Sequence, residues 1–118
     1  EFASAIVITT SEKLAKEIKT ELQKQLSFLS RKKIAEASLK NYGAVILVKT
    51  IKEAIEIANT IAPEHLEIIT EEPKKLLPYI ENAGAIFLGQ WTPEPIGDYL
   101  AGPNHTLPTG GTARFFSP

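Results

Sequence analysis

The stretch AVILVKTIKEAIEIANTIAPEHLEII, residues 44–69, carries the pattern that decides the fold. Residues 44–48 are a short apolar run, which is typical of a strand buried on both faces. Residues 50–53 (TIKE) have the spacing of a capping box, and apolar side chains then recur at helical spacing until Pro63 ends the helix. Residues 66–69 (LEII) are predicted to form the next strand. The order strand, helix, strand indicates an α/β fold.

The part of the chain before this stretch shows the same alternation. Residues 5–9 (AIVIT) form a β-branched apolar run and predict a first strand. Thr10 or Ser11 can then cap an amphipathic helix, because apolar residues recur every three or four positions after them. These apolar residues are Leu14, Ile18, Leu22, Leu26 and Leu29. A second helical piece is predicted over residues 31–42, with Gly43 as its left-handed stop.

The part after the stretch adds one helix and one strand. A helix is predicted to begin at Pro73, since the first helical position tolerates a residue without an N–H group. Pro78 lies too deep for a regular continuation and predicts a kink or a short helix. Residues 85–88 (AIFL) are predicted to be the fourth strand.

Four short apolar strands separated by helices predict right-handed crossovers. The expected fold is a three-layer α/β unit with a mainly parallel sheet and helices on both faces. We expect a single domain over residues 1–118, in which residues 1–88 are the scaffold and residues 89–118 are a loop segment that carries the site. No glycine-rich phosphate loop follows any predicted strand, so a dinucleotide-binding fingerprint is absent from the sequence.

Composition and charge exclude several classes of protein. The chain has 118 residues, of which 43% are hydrophobic and 23% charged, as in ordinary globular domains. Its net charge of −1 provides no concentrated positive surface for nucleic acid. No run approaches the roughly 20 apolar residues that cross a bilayer, so we expect a soluble protein without a membrane partner. The absence of cysteine excludes disulfides, thiolate zinc sites and a cysteine nucleophile.

The segment over residues 89–118 is the candidate site loop. It holds five of the seven glycines and five of the eight prolines, together with Trp91, Asp98 and His105. A loop of this length is usually either functional or disordered, and prolines interleaved with aromatic residues favour a functional loop. Ligands of open α/β sheets bind outside the carboxyl ends of the strands, which is where this segment begins.

Several long, gapped strings in the chain resemble histidinol dehydrogenase. They are Ala62-Pro63-Glu64-His65-Leu66, Phe87-Leu88-Gly89 with Trp91, Gly97-Asp98-Tyr99, Gly102-Pro103-Asn104-His105 and Leu107-Pro108-Thr109-Gly110. The resemblance covers roughly residues 5–118. It implies an incomplete Rossmann-like domain of the aldehyde dehydrogenase kind, which agrees with the missing glycine fingerprint. Enzymes of this family are several times longer, so we expect this chain to be a fragment or an excised domain.

Glu64 and His65 are the candidate acid/base pair. Without the resemblance, an adjacent Glu and His would more simply be polar loop residues, although imidazole titrates near neutrality and a carboxylate can activate water. The resemblance implies that His65 binds substrate and accepts the proton during alcohol oxidation. It also implies that Glu64 activates the water that attacks the aldehyde.

The position of this pair conflicts with the expectation that ligands bind at the carboxyl ends of the strands. Glu64 and His65 come at the start of the third predicted strand, which ordinarily places them at the rim opposite the site loop. Either the strand is antiparallel or displaced, or the pair belongs to an irregular connection that reaches the site. The sequence leaves these alternatives open.

Asp98 and His105 complete the candidate site. Asp98 can be a turn aspartate, and His105 can be a loop histidine bonded to backbone. The resemblance implies instead that Asp98 binds zinc and substrate and that His105 contacts substrate. A zinc site needs about four ligands. The resemblance places the others, a Gln and two His, outside this chain, together with the residues that contact NAD.

Two hypotheses of different class follow. In the first, the chain is part of histidinol dehydrogenase, a cytoplasmic zinc-containing homodimer that oxidises L-histidinol through the aldehyde to L-histidine with two NAD. The chain alone would then be inactive. In the second, the chain is a non-catalytic α/β binding module that uses its C-terminal loop as an interaction surface. A Gln and a His just upstream, with a His downstream, would favour the enzyme.

Overall fold

The computed structural model describes residues 3–93, and its elements follow the predicted alternation. The strands are β1 (Ile6–Thr9), β2 (Ala44–Leu47), β3 (His65–Ile68) and β4 (Ala85–Leu88). The helices are α1 (Glu12–Leu26), α2 (Lys32–Tyr42), α3 (Ile51–Ile61) and a 3₁₀ helix (Pro73–Tyr79). The bounds of the strands differ from the predicted ones by at most one residue at either end.

Helix α1 begins at the second of its two predicted caps. The Ser11 hydroxyl accepts a hydrogen bond from the Leu14 backbone N–H at 3.1 Å, which satisfies one of the N–H groups that the first helical turn leaves unpaired. The helix buries Ala15, whereas Leu14 and Leu22 on the predicted apolar face are 44% and 37% exposed. The prediction of an amphipathic helix is therefore confirmed, with an apolar face that is only partly covered.

Helix α2 ends at Gly43, but the predicted left-handed stop is wrong. Gly43 has an extended backbone, with φ −86° and ψ 146°, and its N–H donates to the Leu39 carbonyl. A side-chain Cβ at this position would lie 2.6 Å from the Leu39 carbonyl oxygen. The glycine is therefore required for space, because the chain passes directly from the last helical turn into β2.

Helix α3 has a modified capping box. The Thr50 hydroxyl accepts a hydrogen bond from the Glu53 N–H at 3.1 Å, as predicted. The Glu53 carboxylate in turn accepts from the Lys49 N–H at 2.8 Å, one residue before the position that a standard capping box uses. At its other end the helix closes with a hydrogen bond from the Ala62 N–H to the Ala58 carbonyl.

The helix predicted at Pro73 is a 3₁₀ helix. Pro73 stands at its start and Pro78 lies inside it. Because Pro78 has no N–H to donate and its ring crowds the preceding turn, a regular α-helix cannot continue through this position. The prediction of a short or kinked helix is confirmed.

The described strands pair in parallel, but in two sheets in place of one. β1 pairs with β2, with Ile6 opposite Ala44, and β3 pairs with β4, with His65 opposite Ala85. Each pair is a separate two-stranded sheet. The α/β class and the parallel direction are confirmed, whereas one continuous sheet through all four strands is wrong for the described residues. Hydrophobic patterns specify that a segment is a strand, but they do not specify which strand it pairs with.

The chain divides into two compact units, with the boundary between Ala54 and Ile55. The first unit contains the β1–β2 pair with α1 and α2, and the second contains the β3–β4 pair with most of α3 and the 3₁₀ helix. A single domain over residues 1–118 stays a prediction.

Burial in the strands is lower than the sequence predicts. All four residues of β1 are half-buried, and Leu47 of β2 is 50% exposed. Among the described residues, the buried apolar side chains are Ala15, Ala58, Ala62 and Ile68. A two-stranded sheet offers each strand few neighbours, so its apolar side chains keep contact with solvent.

Candidate functional site

The predicted acid/base pair lies where α3 passes into β3. Ala62 leaves the helix with φ 52°, in the left-handed region that residues with a Cβ rarely adopt, and it is 2% exposed. This conformation costs on the order of 1 kcal/mol, so the surrounding structure must hold it in place. Pro63 follows with its fixed φ, the backbone bends at Glu64, and His65 is the first residue of β3.

Backbone hydrogen bonds fix this segment against the start of β4. The Gly84 N–H donates to the Pro63 carbonyl at 3.0 Å, and the Ala85 N–H donates to the Glu64 carbonyl at 2.8 Å. Because β3 and β4 are parallel, the antiparallel alternative for this strand is wrong. Glu64 and His65 therefore lie at the amino edge of the β3–β4 pair.

The amino edge is about 10 Å from the carboxyl edge, since each residue of a strand advances the chain by about 3.3 Å. At the carboxyl edge the Gly89 N–H donates to the Ile68 carbonyl at 2.9 Å. Trp91 follows in a turn and is 82% exposed. Of the earlier alternatives, a displaced strand and an irregular connection that reaches the site stay open, because the residues from 94 onwards lie outside the described part of the chain.

The His65 ring lies beside an aromatic side chain of the neighbouring strand. The centroids of the His65 and Phe87 rings are 6.1 Å apart, and the ring planes are tilted by 38°. Both residues share one face of the pair, because Phe87 lies two residues after Ala85, the partner of His65. His65 and Glu64 are both half-buried. The His65 imidazole therefore lies next to the Phe87 ring and stays partly accessible to solvent.

Asn59, which the sequence analysis did not single out, connects α3 to the segment that leads into β4. Its Nδ2 donates to the Tyr79 carbonyl at 2.9 Å, and its Oδ1 accepts from the Glu81 N–H at 2.8 Å and the Asn82 N–H at 3.3 Å. The Asn82 side-chain amide donates back to the Asn59 carbonyl at 3.2 Å.

A signal for Asn59 was present in the sequence. Asn59 lies four residues after Ile55 and three before Ala62, so it occupies the apolar stripe of α3. A polar amide on the core-facing side of a helix is expected to have hydrogen-bond partners.

The other predicted site residues lie outside the part of the chain that the structure describes. Asp98 and His105 both follow residue 93, as does most of the predicted site loop. Within residues 3–93, no three His, Cys, Asp or Glu side chains stand together as a possible metal site. The described residues alone therefore do not fit a zinc ion, and Asp98 as a zinc ligand stays a prediction. No helix in the described part is long and apolar enough to span a membrane.

The fold and the site define an α/β protein with a candidate acid/base pair at the amino edge of a parallel strand pair. A family model described as histidinol dehydrogenase matches residues 1–118. The chain therefore belongs to the histidinol dehydrogenase family.

Individual relatives agree with this assignment. Histidinol dehydrogenase of Caldanaerobacter subterraneus subsp. tengcongensis is 60% identical over 116 residues, which are 98% of this chain and 27% of the relative. The enzyme of Aquifex aeolicus is 57% identical over 118 residues, which are 100% of this chain and 28% of the relative. The chain thus spans little more than a quarter of the length of these relatives.

A solved structure supports the fold. The crystal structure of histidinol dehydrogenase from Elizabethkingia anophelis matches with a TM-score of 0.84 and 38% sequence identity, over 95% of this chain and 26% of that chain. At this identity and score, the backbone described above is similar to one region of a histidinol dehydrogenase.

Proposed function

We propose that this chain contributes the acid/base pair of a histidinol dehydrogenase, with Glu64 and His65 in that role. The observation that carries the proposal is their position: Glu64 lies at a bend that is fixed by backbone hydrogen bonds to the start of β4, and His65 is the first residue of the strand that follows. The match to the histidinol dehydrogenase family over residues 1–118 supports an oxidation as the reaction in which the pair takes part. A catalytic base needs a defined position, and this segment provides one.

The two side chains have separate tasks in this proposal. The His65 imidazole accepts the hydroxyl proton of L-histidinol as the alcohol is oxidised, because a neutral ring nitrogen is an effective base near pH 7. The Glu64 carboxylate accepts a proton from the water that attacks the aldehyde. In each of the two oxidations the hydride would go to NAD, so that the hydrated aldehyde becomes the carboxylate of L-histidine. The bend at Glu64 takes it out of the regular alternation of β3, so it need not lie on the face opposite His65.

Zinc and NAD enter the proposal through the family resemblance. Zinc would be held in part by Asp98, and substrate would also contact Asp98 and His105. NAD would be held by residues outside this chain, since no glycine-rich phosphate loop occurs in it. The family resemblance also supports three further features of the proposal: an incomplete Rossmann-like domain, a homodimer and a cytoplasmic location.

Exposed apolar side chains support a role within a longer enzyme. Phe28 is 82% exposed, Leu29 is 51% exposed and Ile69 is 62% exposed. Phe28 and Leu29 are consecutive, and neighbouring exposed apolar side chains can belong to a surface that contacts other protein. The relatives are several times longer than this chain and have the additional residues to cover such surfaces.

Two variants of the full-length enzyme separate the proton chemistry from metal binding. His65→Asn keeps hydrogen bonding but removes proton acceptance, so kcat should fall by about 10² to 10⁴ with unchanged zinc content. Asp98→Ala should instead lower bound zinc first, with activity lost because the site is vacant. Zinc content is measured by elemental analysis of the dialysed proteins, and kcat by NADH absorbance.

Each variant has an outcome that contradicts its assignment. A fully active His65→Asn enzyme would make the Glu-His pair an ordinary polar connection. Full zinc occupancy with normal turnover in Asp98→Ala would make Asp98 a turn residue. Glu71→Gln, at an exposed position after β3 and outside the assigned chemistry, serves as the control and should change neither quantity.

A further inference from the structure

The Asn59 side chain holds two chain segments that both run directly into the acid/base pair. One segment is the end of α3, which reaches Glu64 after only four intervening residues. The other is the connection over residues 79–82, which reaches Gly84 and Ala85 within three residues of Asn82. Asn59 makes hydrogen bonds to three residues of this connection.

The short distance along the chain leaves little freedom between the Asn59 contacts and the pair. Ala62, which lies between Asn59 and Glu64, is 2% exposed and in the left-handed conformation, so this part of the path is packed and conformationally fixed. Gly84 and Ala85 donate to the carbonyls of Pro63 and Glu64. A shift of residues 79–82 away from α3 would therefore pull on the backbone that carries Glu64.

We propose that Asn59 is a positioning residue for the Glu64–His65 pair. Its amide fixes residues 79–82 against the last turn of α3 and thereby sets the position of the amino edge of β3–β4. This inference rests on the proposed acid/base role of the pair. Displacement of a catalytic group by about 1 Å can reduce turnover by about 100-fold, so loss of the amide should be visible in kcat.

The test is made in the full-length enzyme, with kinetics and hydrogen exchange measured on each variant. Asn59→Ala should lower kcat by about 10 to 100-fold, with KM for L-histidinol changed by less than about three-fold. Amide exchange at Gly84 and Ala85 should accelerate. Asn59→Asp keeps the oxygen that accepts from Glu81 and Asn82, so it should recover part of the lost kcat.

Thr60→Ala is the matched control. The Thr60 hydroxyl donates only to the Glu56 carbonyl of its own helix, at 2.8 Å, and Thr60 is exposed. Its kcat and exchange pattern should remain those of the wild type. If Asn59→Ala fails to fold, Asn82→Ala replaces it, because this change removes only the bond to the Asn59 carbonyl and should lower kcat by about three-fold.

A further variant separates this proposal from the proposed function. If Asn59 acts through His65, adding Asn59→Ala to His65→Asn should lower kcat by less than about three-fold. Wild-type kcat in Asn59→Ala, or the full additional loss in the double variant, would overturn the positioning role. A fully active His65→Asn enzyme would instead contradict the proposed function itself.

Discussion

Gly43 and Gly89 are glycines for different physical reasons. At Gly43 the backbone is extended and a Cβ would lie 2.6 Å from the Leu39 carbonyl oxygen. At Gly89 φ is +85°, and a Cβ would meet nothing within 4 Å. The first position therefore requires glycine for space and the second for conformation.

The crowding at Gly43 gives a prediction at the scale of one residue. Gly43→Ala should lower the free energy of unfolding by about 1 to 3 kcal/mol, because the Leu39 backbone cannot rotate away from the added methyl group. Chemical denaturation followed by circular dichroism measures the change. Asn41→Ala, two residues earlier at an exposed position of α2, should stay within about 0.5 kcal/mol of the wild type. Equal stability of the two variants would contradict the close contact.

Residue chemistry predicted some of these details and not others. The hydrogen bond to Ser11 and the cap at Thr50 follow from side-chain oxygens placed before amphipathic runs. The extended backbone of Gly43 could not be predicted, because the glycine that ends a helix is left-handed in many proteins. Here the conformation of Gly43 is set by β2, which begins at the next residue. The role of Asn59 required the position of residues 79–82, which are distant in sequence.

At the scale of the element, helix α1 depends on its cap and on partial packing. Three ion pairs lie along its solvent side, and all have side chains more than half exposed. Pairs of this kind contribute only about 0.3 to 0.5 kcal/mol each. The capping hydrogen bond to Ser11, which contributes about 1 kcal/mol, is therefore larger than the contribution of any one of these pairs.

Thr10 and Ser11 provide a matched test of this cap. Ser11→Ala should lower the free energy of unfolding by about 1 kcal/mol, because the Leu14 N–H loses its side-chain acceptor. Thr10→Ala, one residue earlier at an exposed bend, should change it by only a few tenths of a kcal/mol. Denaturation midpoints of the two variants provide the measurement. A larger effect at Thr10 would show that the helix begins one residue earlier than described.

Strand pairing is where prediction from the sequence reached its limit. The apolar runs at 5–9, 44–48 and 85–88 identified β1, β2 and β4 and their approximate bounds. They did not indicate that β2 pairs with β1 and β3 with β4, each in its own sheet. Pairing depends on contacts between distant segments, which short apolar runs do not encode.

At the scale of the whole molecule, the chain corresponds to little more than a quarter of the length of its histidinol dehydrogenase relatives. It matches 26% of the Elizabethkingia anophelis chain with a TM-score of 0.84. The sequence predicted the family from the strings around Glu64, Asp98 and His105. The described structure adds the geometry around Glu64 and His65, whereas Asp98 and His105 lie outside residues 3–93 and keep the roles that the resemblance implies.

In the proposed function Glu64 and His65 perform separate proton transfers, and counting NADH per site in a single turnover distinguishes the two transfers. The experiment uses the full-length enzyme with L-histidinol and excess NAD. Glu64→Gln removes the base for water but leaves His65 in place. Glu71→Gln, the same chemical change at an exposed position after β3, is the control.

We predict that Glu64→Gln forms the first NADH at close to the wild-type rate and the second at least about 100-fold more slowly. Glu71→Gln should form two NADH per site at wild-type rates. Formation of both NADH at wild-type rates by Glu64→Gln would contradict the assignment of Glu64 as the base for water.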